Sequence, residues 1–130
     1  MIDRTLAVFG NPISAKTRRQ AEKAKAGYIR EFGDDSGTEY RLGVRDIPAL
    51  AGLGTRELTV SAGEKPEGEA IDLAADAKAF VIGNIRMGFG HYRISMAIAS
   101  AARQRGLNPY WFDLHAFSQT PGGKIIEKLN

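Results

Sequence analysis

Apolar positions along the chain gather into short runs, separated by polar stretches that carry glycine and proline. The run TLAVFG (5–10) has strand length and ends in Gly-Asn-Pro, which predicts a buried strand followed by a turn. Ser14 then stands where an N-cap belongs, and AKTRRQAEKAKAGYIREF is rich in helix formers. Its apolar face is thin, with Ala21, Ala24, Tyr28 and Phe32 at spacings of three and four. GDDSG reads as a loop, TEYRLGV as a strand and DIPALAGLG as one helical turn or a loop. RELTVSA alternates like a strand, with Leu58 and Val60 to one side. GEKPEGE is a loop, and AIDLAADA predicts a short helix.

The clearest pattern comes last. AFVIGN (79–84) is an apolar run of strand length, IRMGFG a turn, and 91–105 a helix. Ile94, Ala97, Ile98 and Ala101 fall at i, i+3, i+4 and i+7 and predict one apolar stripe. Arg103 and Arg105 suit the negative end of the helix dipole, and Gly106 supplies a stop. PYWFDL is the next strand, so the segment predicts a right-handed βαβ unit with parallel strands. TPGGKIIEKLN reads as the first turns of another helix. The expected fold is a single α/β domain over 1–130, with a soft internal boundary near 77–79 and a Rossmann-like unit over 80–130. It is a three-layer, Rossmann-like open sheet of about four to five mostly parallel strands with helices on both faces. The strands ending at Phe9, Ala62, Gly83 and Asp113 would share one edge, where such sheets bind ligands.

Composition removes several classes of chemistry. Hydrophobic residues make up 43% and charged residues 25%, an ordinary globular balance. With no cysteine, disulfides, thiolate metal sites and a cysteine nucleophile are excluded. His91 and His115 are the only histidines and form no ligand spacing, so no metal is expected. The net charge is +3, with Lys16, Arg18, Arg19, Lys23, Lys25 and Arg30 set against Glu22 and Glu31. Without an aromatic series interleaved for base stacking, that segment reads as a solvated helix face, and no nucleic acid partner is expected. No apolar run approaches the roughly 20 residues of a membrane span. MIDRTLAVFG lacks a signal-peptide layout, which gives a cytoplasmic expectation.

The stretch RMGFGHYRIS (86–95) carries the candidate chemistry. A helix that follows a strand begins with unpaired N–H groups and a partial positive charge, and glycines let an anion come close. Gly88 and Gly90 remove side chains there, while Arg86, His91 and Arg93 add donors. This makes either an anion cradle or a plain turn with His91 as a helix cap. The dinucleotide fingerprint is incomplete, because Arg93 takes the place of its third glycine; no cofactor is therefore expected. Asp113 stands about where a ribose-binding acid would sit, or caps the following segment, and Asn11 joins the candidate edge.

GNIRMGFGHYRISMAIASAARQRGLNPYWFDLHAF resembles the opening βαβ of GT-B glycosyltransferase-like proteins, and more closely a bacterial family related to them with an RMGFGHYR signature. The resemblance covers about 83–130. It implies that Gly88, Gly90 and His91 face the acceptor and the donor phosphates, with His91 a candidate base for the acceptor hydroxyl. The implied partners are a sugar-phosphate or nucleotide-sugar, and a C-terminal donor-binding domain or a homo-oligomer to complete the enzyme. A second, weaker resemblance covers about 5–76: LAVFGNPIS followed by ELTVSAGEK is similar to the substrate domain of shikimate dehydrogenase. It would make Lys65 the catalytic lysine, although the family's carboxylate-binding serines fall at Lys16 and Arg18. A third reading is a composite or engineered α/β domain with no evolved ligand.

Overall fold

The computed structural model describes residues 6–85 and 88–129. The chain divides into two compact units, Met1–Asp34 and Asp35–Asn130.

In the first unit, β1 (Ala7–Val8) pairs antiparallel with β2 (Asn11–Pro12). Phe9 and Gly10 between them have φ of 50° and 81°. Left-handed backbone at both central residues is the geometry of a two-residue hairpin turn. The buried strand expected over 5–10 is therefore a short hairpin arm, and Phe9 at its tip is fully exposed. Helix α1 (Ala15–Phe32) begins as predicted: Ser14 Oγ accepts a hydrogen bond from the Thr17 N–H at 3.1 Å. Gly33, at φ 102°, ends it by donating its N–H to the Ile29 carbonyl. No residue of α1 is buried, in keeping with its thin apolar face.

The second unit contains β3 (Arg41–Arg45), α2 (Pro48–Ala51), β4 (Arg56–Ser61), β5 (Glu69–Ala70), β6 (Ala79–Asn84), α3 (Phe89–Gln104), β7 (Asn108–Asp113), a 3-10 turn (Leu114–Phe117) and α4 (Pro121–Leu129). The strands form one sheet in the order β5-β3-β4-β7-β6. Strands β4, β7 and β6 run parallel, whereas β3 is antiparallel to both β4 and β5. This corrects the three-layer, mostly parallel Rossmann-like sheet: the molecule has a five-stranded mixed sheet and a separate two-stranded antiparallel one. Connection length explains the difference. Residues 46–55 between β3 and β4 are fewer than the dozen or more that a parallel crossover needs, whereas 85–107 carry α3 and allow one.

Strand register divides the sheet into two chemically different faces. Leu42 and Val44 pair with Val60 and Leu58, and Val81 pairs with Tyr110. Val44, Leu58, Tyr110 and Phe117 form the buried core of this face, with Val60, Phe112 and Leu114 packed against it. The opposite face carries Glu57 paired with Trp111, Ile82 paired with Trp111, and Asn84 paired with Asp113. Glu57, Thr59, Asn84 and Asp113 are all buried there beside Trp111.

Helix α3 meets the sheet at β6 and β7 on this second face, where Tyr92 lies edge-on to Trp111 with ring centroids 5.4 Å apart. The stripe predicted from Ile94, Ala97, Ile98 and Ala101 is not the buried one. Ile94 is 61% and Ile98 42% exposed, while Ser95, Ala99 and Ala102 are buried. Small side chains let the helix approach the sheet closely enough for Ser95 Oγ to donate to the Gly83 carbonyl at 3.2 Å.

The helix expected in AIDLAADA is absent: residues 71–78 form turns. Asp72 accepts from the Ala74 N–H and Asp76 from the Lys78 N–H, so each aspartate offers the backbone a local alternative to helix. Asp76 also accepts from Asn108 Nδ2 at 3.0 Å and from the Tyr110 hydroxyl at 2.9 Å, tying this turn to the start of β7. The Asn108 amide, the Lys78 N–H and the Tyr110 hydroxyl together hold the Asp76 carboxyl below its ordinary value. A carboxylate with a lowered folded-state pKa adds stability above its unfolded value, and that stability is lost as pH falls through the folded one. The stability gap between the wild type and Asp76→Asn is thus expected to stay constant from pH 7 to 5. It should narrow below about pH 4. Urea midpoints measured across that range check it.

Candidate functional site

Strands β6 and β7 end side by side, with Asn84 and Asp113 as their last registered pair. Next in the chain among the described elements is α3, whose N-cap is Gly88 at φ 106°. A side chain at that φ would be strained even though open space surrounds the position. Gly90, in the first turn of α3, has no such backbone constraint, and a Cβ added there meets nothing within 4 Å. The fold needs Gly88 for its backbone; it does not need Gly90 for packing.

At the start of α3 lies an open cleft of about 430 Å³, lined by Asn84, Gly88, Phe89 and Tyr92. Its aromatic wall is linked to the core: the Phe89 and Tyr92 rings are 6.3 Å apart, and Tyr92 rests on Trp111. Asn84 is only 7% exposed. Its Nδ2 lies 3.5 Å from Asp113 Oδ2, and its Oδ1 is buried without a hydrogen-bond partner among the described residues.

The residues singled out from sequence are distributed as follows. Gly88 lines the cleft, and Gly90, His91 and Arg93 are exposed on the first turns of α3. The Arg93 guanidinium carbon sits 5.5 Å from the Phe89 ring centroid, a cation–π contact that holds positive charge at the helix start. Asp113 is buried, and its Oδ1 accepts from the His115 N–H at 3.0 Å, capping the 3-10 turn. Asn11 belongs to the first unit. Arg86 lies outside the described residues. Lys65, the lysine implied by the dehydrogenase resemblance, is exposed in the loop after β4 and does not line the cleft.

Sequence reading missed Asn84, Phe89 and Tyr92. A signal for the first was present: Asn84 is the one polar residue of the run AFVIGN and ends it. The aromatic pair carried no such signal, since its value depends on where α3 lands. Among the described residues no group of three histidine, cysteine or acidic side chains could hold a metal ion. None of the described helices is long and apolar enough to cross a membrane.

Comparison with known proteins gives a family and no function. A family model described as a domain of unknown function, DUF6937, matches residues 7–130, and the chain belongs to that family. The match runs through both segments to which the two resemblances were assigned. No curated protein and no solved structure matches the chain.

Proposed function

We propose that this DUF6937 chain carries a GT-B glycosyltransferase-like N-terminal unit that binds a phosphate or sugar-phosphate at the glycine turn. The observation that carries the reading is the open cleft at the carboxyl end of parallel strand β6, where Gly88 leads into the first turn of α3. A strand end that feeds a helix start offers unpaired N–H groups and the positive end of the helix dipole to an anion. Arg93, held over Phe89, adds a cation at the same end of α3. In this reading His91, three positions after the cap, orients or deprotonates an acceptor hydroxyl.

Gly90 gives the cleanest test, because an added methyl group has room in the free protein. Gly90→Ala should keep the wild-type melting temperature. In titration calorimetry it should bind inorganic phosphate and glucose 1-phosphate about tenfold more weakly, a cost of about 1.4 kcal/mol. His91→Ala should weaken glucose 1-phosphate more than inorganic phosphate. Equal affinity of Gly90→Ala and wild type for both compounds would refute the anion cradle.

A further inference from the structure

We infer that the free sheet edge at β6, together with the flank of α3 that overlooks it, is the interface of a two-fold symmetric dimer of this chain. This does not depend on the anion cradle. Strand β6 ends the sheet order β5-β3-β4-β7-β6, so among the described residues its outer backbone groups pair with no strand. Natural proteins blunt such edges with charge, proline or a bulge. β6 has none of these: AFVIGN carries no charge and no proline, and its register on β7 runs unbroken from Ala79 to Asn84. Phe80 and Val81, which point to opposite faces, are 39% and 48% exposed, and Ile85 just beyond the strand is 55% exposed.

Helix α3 continues the same surface. Tyr92 leans inward on Trp111 of β7, the strand next to the edge. At about 100° per residue, Ile94 and Ile98 fall on the other side of α3 from Tyr92, above β6. Residues 79–85 and 94–102 contain no charged side chain. A charged partner finds nothing there to pair with, whereas a second copy meets this surface without like-charge repulsion. The area agrees with a dimer. Phe80, Val81, Ile85, Ile94 and Ile98 leave roughly 400 Å² of apolar surface uncovered, about the apolar share of the ~800 Å² that each partner buries in a standard interface. Symmetry then sets the arrangement. Antiparallel pairing of β6 with its own copy puts the two-fold axis perpendicular to the sheet, so both copies of α3 lie on one side of a continuous sheet. Ser95 stands over Gly83, and α3 runs back along β6. Ile98 is therefore level with the middle of the strand, where it meets its own copy across the axis.

Sedimentation equilibrium of the full chain tests this. Wild type should be a dimer at about 100 μM and should dissociate on dilution, as mass action requires. Ile98→Lys and Ile98→Glu should each weaken the dimer at least about thirtyfold, the loss expected of a central hot spot. Ile98 is partly exposed, so both variants should keep the wild-type circular dichroism. An equal mixture of the two should regain the dimer, because lysine then faces glutamate across the axis; a misfolded variant would not be rescued in this way. Hydrogen exchange of the β6 amides should slow as the wild-type concentration rises. The inference is overturned if wild type is monomeric at about 100 μM, whatever protects its β6 amides, or if it forms assemblies larger than a dimer. It is equally overturned if both variants dimerise as tightly as wild type, or if their mixture stays monomeric.

Discussion

Trp111→Ala is expected to lower the unfolding free energy by about 4 kcal/mol, the range for emptying a buried aromatic site. Trp111 is 1% exposed and is the largest fully buried side chain among the described residues. It pairs in register with Ile82 on one side and Glu57 on the other, at the centre of the sheet face that meets α3. The hole would not be local in its effects. Tyr92 rests edge-on against this ring at 5.4 Å, and Tyr92 lines the cleft. Loss of Trp111 should therefore loosen the first turns of α3 as well as the sheet. Trp111→Phe keeps an aromatic ring for Tyr92 and should cost about half as much. Chemical denaturation followed by circular dichroism measures both variants. Because the chain has one tryptophan, wild-type fluorescence reports on this same contact. Ligand binding in the cleft should change that fluorescence.

Arg45→Met should cost about 3 kcal/mol, for an electrostatic reason. Glu57 points from the central strand β4 into the polar face, with its side chain only 3% exposed. Arg45 Nε and Nη2 both lie 2.7 Å from Glu57 Oε2, and Nη1 reaches Glu67 at 2.8 Å. The Glu57 hydrogen bond, the largest influence, raises the Arg45 pKa, and the charges of Glu57 and Glu67 add to it. Removing the arginine strands a buried carboxylate, which in general costs about 3–5 kcal/mol. The lower figure applies because the Arg45 side chain is 41% exposed, so solvent already screens part of the pair. The double variant Arg45→Met/Glu57→Leu should recover most of the loss, since an apolar pair of similar volume replaces a desolvated ionic one. Unfolding at pH 7 should rank the double variant well above Arg45→Met. If the two are equally unstable, the penalty lies in packing and not in the stranded charge.

The candidate site was legible in outline and illegible in its details. Glycine spacing marked the strand-to-helix junction at 86–95, and the structure has Gly88 at φ 106° starting α3. The polar pair behind it was hidden. Asn84 and Asp113 are 29 residues apart and become neighbours only through the register of β6 on β7. Asn84 stood out as the polar end of AFVIGN and Asp113 as the acid after PYWF, but neither position showed that the two would be paired. The stripe on α3 misled for a related reason. Periodicity identifies residues that share a face, and Ile94 and Ile98 do share one; contact with the sheet selected Ser95, Ala99 and Ala102 instead. Close approach to Gly83 favours small side chains over bulky ones.

Local interactions let the sequence alone determine several elements. The Ser14 cap and the helix after it, the strands at β3, β4, β6 and β7, and the stop at Gly106 depend on side chains acting within a few residues. The parallel pairing of β6 with β7 also followed, because the intervening helix leaves room for a crossover. Strand direction elsewhere belonged to the tertiary structure. The short β3–β4 connection forces an antiparallel pair into the sheet, and β5 adds a second one through backbone pairing of two residues that no pattern of that length specifies. Burial of Glu57, Asn84 and Asp113 was decided in the same way. A polar residue goes inside where partners brought from another segment compensate for the water it loses, as Arg45 does for Glu57 and Asp113 for Asn84.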